Sequence, residues 1–199
     1  MKFQRFAPVI LAAALAAALA SPALSQEALK IGAPAPDFQL PNAEDGKPVA
    51  LKDVLAKGKA TVILFIATKC PVSNAYDSRM SEMGKAYTAK GISFVGINSN
   101  KTEPIVDVAK HAKAQGYVFP VLKDEGNKVA DLYKAGRTPE VYVLDPKGNL
   151  VYHGRIDENQ DDPKGVKSPD LKNALDAILA GKAVPVAETK AFGCTIKRV

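Results

Sequence analysis

The chain has 199 residues, with 27 Lys and Arg against 21 Asp and Glu and a formal net charge of +6. That length suits one domain and hardly two. The charges of both signs are interspersed, with no basic block and few aromatics beside the basic residues, which excludes a nucleic-acid binder and leaves a solvated, mildly basic surface.

The first residues read as a leader rather than as part of the fold. Lys2 and Arg5 give a short basic start, and Ala7 to Ala20 form an apolar run. Ser21 to Gln26 are small or polar, with Ala23 and Ser25 placed as the −3 and −1 residues of a cleavage site. This is the pattern of a secretory signal over residues 1–25. The apolar run is too short for a stable membrane helix, which needs about 20 residues. The expected mature protein is exported, to the periplasm or the cell exterior, with no membrane attachment after cleavage. Its expected layout is one domain over residues 26–181 and a tail over residues 182–199 without periodicity.

Ala33 to Phe38 (APAPDF) predicts an extended arm, and Asn42 to Lys47 a turn between short strands at Phe38–Leu40 and Val49–Leu51. Thr61 to Thr68 (TVILFIAT) is apolar without polar alternation, the mark of a strand buried on both faces. Val72, Ala75, Tyr76, Met80, Met83 and Tyr87 recur at three and four, which predicts one helical face ending at Gly91. Ile92 to Asn98 is a second buried strand. Ile105, Ala109 and Ala112 mark a helix stopped by Gly116, and Phe119 to Leu122 a short strand. Val129, Leu132 and Tyr133 mark a third helix. Val141 to Leu144 and the alternating Leu150 to Ile156 are strands joined by a turn over Asp145 to Asn149. Residues 157–167 form a polar loop. Ser168-Pro169-Asp170 predicts a helix start, with a capping hydroxyl, a proline in the first turn and an acid at the positive end. Strand–helix–strand units imply parallel pairing with helices on both sides, and the last strand pair adds an antiparallel edge.

Cys70 follows the first buried strand and begins a helix. First-turn amides pointing at its sulfur favour the thiolate, which is the nucleophile. Lys69 adds a positive charge, Pro71 fits the first helical turn, and Ser73 is placed to hydrogen-bond the sulfur. The competing reading is an inert buried thiol.

Cys70-Pro71-Val72-Ser73 after an apolar strand resembles the active-site turn of thioredoxin-fold proteins, and Arg137-Thr138-Pro139-Glu140 resembles their proline loop. With GINSN at 96–100, FPVLKD at 119–124, YHGRID at 152–157 and GCTIK at 193–197, the chain resembles peroxiredoxin-like redoxins of the alkyl hydroperoxide reductase/thiol-specific antioxidant superfamily. The resemblance implies an α/β thioredoxin-like fold, with a central mixed sheet flanked by helices on both faces and an N-terminal β-hairpin extension. It also implies a cis Pro139 facing Cys70, with the Thr138 backbone offered to an extended partner. The candidate site residues are therefore Cys70, Pro71 and Ser73 from their placement, Cys194 as a second thiol, and Thr138 and Pro139 from the resemblance; two cysteines and two histidines scattered this widely argue against a metal site, and no cofactor is expected. Implied partners are a thiol or disulfide protein or a small hydroperoxide.

The chain departs from the family pattern in three places. Ser73 stands where dithiol members have a second cysteine, no tryptophan precedes Cys70, and Ile63 and Ala67 occupy the usual proline and hydroxyl positions of a peroxidase motif. Three states stay open for Cys194: a thiol that resolves Cys70, half of a permanent bridge, or a free thiol. His153 reads as a half-exposed histidine and His111 as solvated. Arg137 and Arg155 are both candidates to stabilise a thiolate. The expected activity is thiol–disulfide oxidoreduction or a peroxiredoxin-like antioxidant reaction at Cys70. The alternative is a catalytically weak binding module for a protein thiol or a metal ion.

Overall fold

The computed structural model describes residues 29–199, together with Met1. The leader read over residues 1–25 therefore rests on the sequence alone. Among the described residues no helix is long and apolar enough to cross a membrane.

Among the described residues, nine strands and six α-helices follow in order: β1 Gln39–Pro41, β2 Pro48–Ala50, α1 Leu51–Leu55, β3 Ala60–Phe65, α2 Pro71–Ala75, α3 Asp77–Thr88, β4 Ile92–Asn98, α4 Ile105–Ala114, β5 Val121–Lys123, α5 Lys128–Tyr133, β6 Arg137–Thr138, β7 Glu140–Leu144, β8 Leu150–Gly154, α6 Asp170–Leu179 and β9 Cys194–Thr195. The central sheet runs β5-β4-β3-β7-β8. β3 pairs parallel with β4 and β4 with β5, whereas β7 is antiparallel to both β3 and β8. The expected mixed sheet is present, with β3 at its centre.

The period-two geometry of a strand explains the two cores. Val62 and Leu64 of β3 face a cluster with Met80 and Tyr87 of α3, Val108 of α4 and Leu171 and Leu175 of α6. Ile63 and Phe65 face the other way, onto Val129, Ala130 and Tyr133 of α5, Leu51 of α1 and Phe38 and Leu40 of the hairpin. Every residue of β3 and β7 is buried, which is why their sequences show no alternation. β8 has one face outward and alternates as expected.

Four expectations need correction. The predicted second strand ends at Ala50, and Leu51 opens the short helix α1 instead. The helix predicted across Val72 to Tyr87 is broken at Tyr76, whose φ and ψ are −96° and −4°. The buried Tyr76 hydroxyl donates to Asp157 at 3.0 Å, and its amide reaches back three residues to the Ser73 carbonyl. The break keeps the same apolar face inward, so spacing alone does not reveal it. Ser168 does not cap α6: Pro169 is the N-cap and the Ser168 hydroxyl donates to the Asp170 carboxylate at 2.6 Å. His111 is not solvated, since its Nε2 lies 3.2 Å from Asp77 Oδ2 and its side chain is only 16% exposed.

The tail is ordered along much of its length. Residues 187–189 run beside β8, with the His153 amide donating to the Ala187 carbonyl and the Thr189 amide to the His153 carbonyl, both at 2.9 Å. Ile196 is buried in the cluster that holds α5.

Candidate active site

β3 delivers the chain to the site, and a buried carboxylate fixes the turn that follows. Glu103 Oε2 accepts from the Thr68 amide at 2.8 Å and Oε1 from the Lys69 amide at 3.1 Å. Asn98 and Asn100 donate to the same carboxylate. Burial pushes the Glu103 carboxyl up, but the Asn98 side chain and the two amides outweigh it and hold the group below the usual carboxylate range. Asn98 is braced in turn by the buried ammonium of Lys123 at 3.1 Å.

Cys70 is the N-cap of α2, with Pro71 in the first turn, as expected. The Ser73 amide donates to Cys70 Sγ at 3.3 Å. The Ser73 hydroxyl has another duty, accepting from the Ala67 amide at 3.2 Å. The bond to the sulfur that the sequence assigned to Ser73 is thus made by its backbone. α2 has five residues, so local amides rather than a long helix dipole act on the sulfur. Lys69 turns away, and its ammonium donates to the Thr102 carbonyl at 2.9 Å.

The Thr138–Pro139 bond is cis. The Thr138 carbonyl oxygen lies 3.3 Å from Cys70 Sγ, so the proline loop and the cysteine turn face each other. Behind the loop, Glu140 Oε2 accepts from the amides of Gly136 and Arg137 at 2.8 and 2.9 Å. Its Oε1 meets the Tyr142 hydroxyl at 3.0 Å and His153 Nε2 at 2.8 Å. Burial raises the Glu140 carboxyl, yet the His153 contact and the two amides bring it below the usual range. Arg155 is committed to Asp170 at 2.7 Å, whereas Arg137 reaches the tail.

Cys194 is bonded to Cys70, with 5.8 Å between their Cα atoms and a sequence separation of 124. Of the three open states, the free thiol is removed. Cys194 lies in β9, which pairs antiparallel with β6, Thr138 opposite Cys194 and Arg137 opposite Thr195. Cys70 is 3% exposed and Cys194 is half-buried.

The structure thus brings Cys70, Pro71, Ser73, Thr138, Pro139 and Cys194 together. Sequence reasoning missed the roles of Glu103 and Glu140. Glu140 carried a visible signal, a carboxylate opening an otherwise apolar strand. Glu103 carried none.

Comparison with known proteins agrees with this geometry. A thiol-disulfide oxidoreductase ResA of Oceanobacillus iheyensis is 33% identical over 124 residues, covering 61% of this chain and 62% of its own length. The chain thus spans less than two thirds of that relative. A thiol:disulfide interchange protein DsbE of Allochromatium vinosum is 24% identical over 123 residues, covering 62% of this chain and 65% of its own. Among solved structures, an uncharacterized conserved protein from Geobacillus kaustophilus superposes with a TM-score of 0.79 at 37% identity, over 85% of this chain and 92% of that one. A hypothetical protein from Sinorhizobium meliloti gives 0.80 at 34% identity, over 87% and 97%. The AhpC/TSA family pattern spans residues 31–153, which hold both the Cys70 turn and the Pro139 loop, and the chain belongs to that family.

Proposed function

We propose that the protein is a thiol–disulfide oxidoreductase that cycles between a Cys70/Cys194 dithiol and the Cys70–Cys194 disulfide. The observation that carries this reading is the bond itself, formed at a helix N-cap opposite a cis-proline loop. In the oxidative half of the cycle, the Cys70 thiolate attacks one sulfur of a substrate disulfide. A mixed disulfide forms and one substrate thiolate leaves. The Cys194 thiolate then attacks Cys70 Sγ and releases the second thiolate. Two electrons move to the substrate, and the enzyme ends as the disulfide. A reducing dithiol reverses the sequence. Ser73 cannot do the resolving, so Cys194 takes the place of the missing turn cysteine.

Protein thiols and disulfides are the substrates that the names of the relatives support. A peroxidase reaction is the weaker reading, because Ile63 is packed in the core and the Ala67 amide is spent on the Ser73 hydroxyl. The leader features and a bond that persists only in oxidising surroundings support export. A mature protein beginning at Gln26 is the expected product.

Alkylation and mass spectrometry test the cycle. Cys194→Ser should trap a mixed disulfide at Cys70 with a substrate, and Cys70→Ser should abolish exchange. The alkylation rate of reduced Cys70 should reach half its plateau well below pH ~8.5, the midpoint of a free cysteine. Loss of Cys70 without any loss of exchange would sink the reading.

A further inference from the structure

A short strand edge beside a reactive cysteine is a place for an extended chain to pair. In this protein that edge is β6, and the chain's own tail already holds it. β9 pairs with Arg137 and Thr138, and the Ile196 amide donates to the Gly136 carbonyl at 3.1 Å. Arg137 Nη1 clamps the strand from outside, donating to the Gly193 carbonyl at 3.3 Å and the Thr195 hydroxyl at 3.2 Å.

The tail is fastened on both sides of Cys194 by contacts that do not involve the disulfide. Upstream, residues 187–189 are bonded to His153, and Phe192 packs edge-on against Tyr76 with ring centroids 6.3 Å apart. Downstream, the Lys197 amide donates to Asn100 Oδ1 at 2.6 Å and the Lys197 carbonyl accepts from the Lys101 amide at 3.0 Å. The Val199 amide donates to Asn127 Oδ1 at 2.9 Å, and Arg198 to the Ala135 carbonyl at 2.6 Å. Ile196 is 3% exposed.

Gly193 makes the close approach possible. Its φ is +130°, and a Cβ placed there collides with the Thr138 carbonyl oxygen and comes within 3.3 Å of Val72 Cγ1. Any side chain at this position pushes β9 away from β6.

We propose that Gly193 to Ile196 act as a built-in pseudo-substrate, holding the Thr138 edge in both redox states, so that an extended cysteine-containing peptide must displace the tail to reach Cys70. The inference rests on the proposed thiol chemistry of Cys70. It adds a specificity rule: small disulfides and thiols need no edge and are admitted freely, whereas peptide disulfides compete with residues 193–196. Reduction of Cys70–Cys194 alone does not clear the edge, because the flanking anchors remain.

The test uses the full chain, with Cys194→Ser providing a single thiol. One probe is iodoacetamide, which needs no strand pairing. The other is an extended cysteine peptide carried as its mixed disulfide with thionitrobenzoate. Attack by the Cys70 thiolate forms the Cys70–peptide disulfide and releases coloured thionitrobenzoate. Adding Gly193→Ala should raise the peptide rate by about tenfold, the worth of the two or three hydrogen bonds that the peptide no longer has to break. The iodoacetamide rate should change by less than about threefold, since no pairing is involved. Arg137→Ala, which removes only the outer clamp, should move the same ratio in the same direction by a smaller amount. Amide exchange in the reduced protein should find Ile196 and Lys197 protected.

An unchanged ratio of the two rates in both variants overturns the inference. So does rapid exchange at Ile196 on reduction, which means that the tail leaves with the disulfide. Cys70 inert to both probes overturns the proposed function and the inference with it, whereas a reactive Cys70 with an unchanged ratio overturns the inference alone.

Discussion

Two buried carboxylates act at one remove from the sulfur, each holding one of the two loops that meet there. Glu103 sets the turn before Cys70 and Glu140 sets the loop before Pro139. Both are held below their ordinary value of 4.5, burial being outweighed by the side chains and amides that face them. The sign of the pH effect follows. As pH falls through 4.5 the unfolded chain takes up protons that the folded chain still refuses, so stability present above that value is lost on the way down. Glu140→Gln should flatten part of this acid limb, measured as the urea midpoint from about pH 6 to about pH 3. At neutral pH the same change should cost about 1–3 kcal/mol, since an amide nitrogen then faces the Tyr142 hydroxyl or the loop amides. An acid limb identical to the wild type would show that Glu140 is not the titrating group. Cys70 was legible in the sequence because an apolar run, a cysteine and a proline leave few alternatives. Glu103 was not, because the two amides through which it holds the turn lie 34 and 35 residues away, and its near neighbours Asn98 and Asn100 show no link to Cys70 in the sequence.

At the scale of elements, local pattern and long-range pairing divide the chain. β3 and β4 are continuous apolar runs whose burial could be read directly. α2 and α3 share one apolar face, so the break at Tyr76, caused by its anchorage to Asp157, left no trace in the spacing. β9 has two residues and no pattern at all; it exists because β6 is there to pair with it. Its stability is therefore borrowed from packing, chiefly at Ile196. Ile196→Ala should cost about 2–4 kcal/mol, the range for truncating a buried aliphatic side chain. The loss should be similar in oxidised and reduced protein, because Ile196 belongs to the core and not to the disulfide. A loss confined to the oxidised form, in paired urea titrations, would mean that the tail packs only when it is tethered. The same logic applies to the contact of α3 with the chain entering β5. A Cβ on Gly84 comes within 2.8 Å of the Phe119 ring, so Gly84→Ala should destabilise by about 1–3 kcal/mol despite its better helix propensity. A rise in the melting temperature would show that the ring moves aside freely.

For the whole molecule, one covalent link ties the middle of the chain to its end. The bridge closes a loop spanning a sequence separation of 124, which includes four strands of the central sheet and the helices α2 to α6. In the chain-entropy description such a link acts on the unfolded state, and a loop of this length is worth about 5 kcal/mol. That is a large share of the roughly 5–15 kcal/mol that holds a typical domain together. The native contacts are a separate matter: hydrogen bonds at Ala187, Thr189, Ile196, Lys197 and Val199 fasten the tail without involving either sulfur. Reduction should therefore lower the urea midpoint of global unfolding by an amount approaching that figure, while amide protection in β9 falls only where global unfolding becomes its exchange route. The two measurements separate the roles of the link. A global loss of under about 1 kcal/mol would show that the unfolded chain gains little freedom on reduction, through residual structure or strain released from the native state. A full global loss with β9 unprotected would make the disulfide the clasp of the tail. The expected combination, a large global loss with β9 still protected, describes a protein whose oxidised and reduced forms share one fold, the tail leaving the Thr138 edge only when a peptide takes its place.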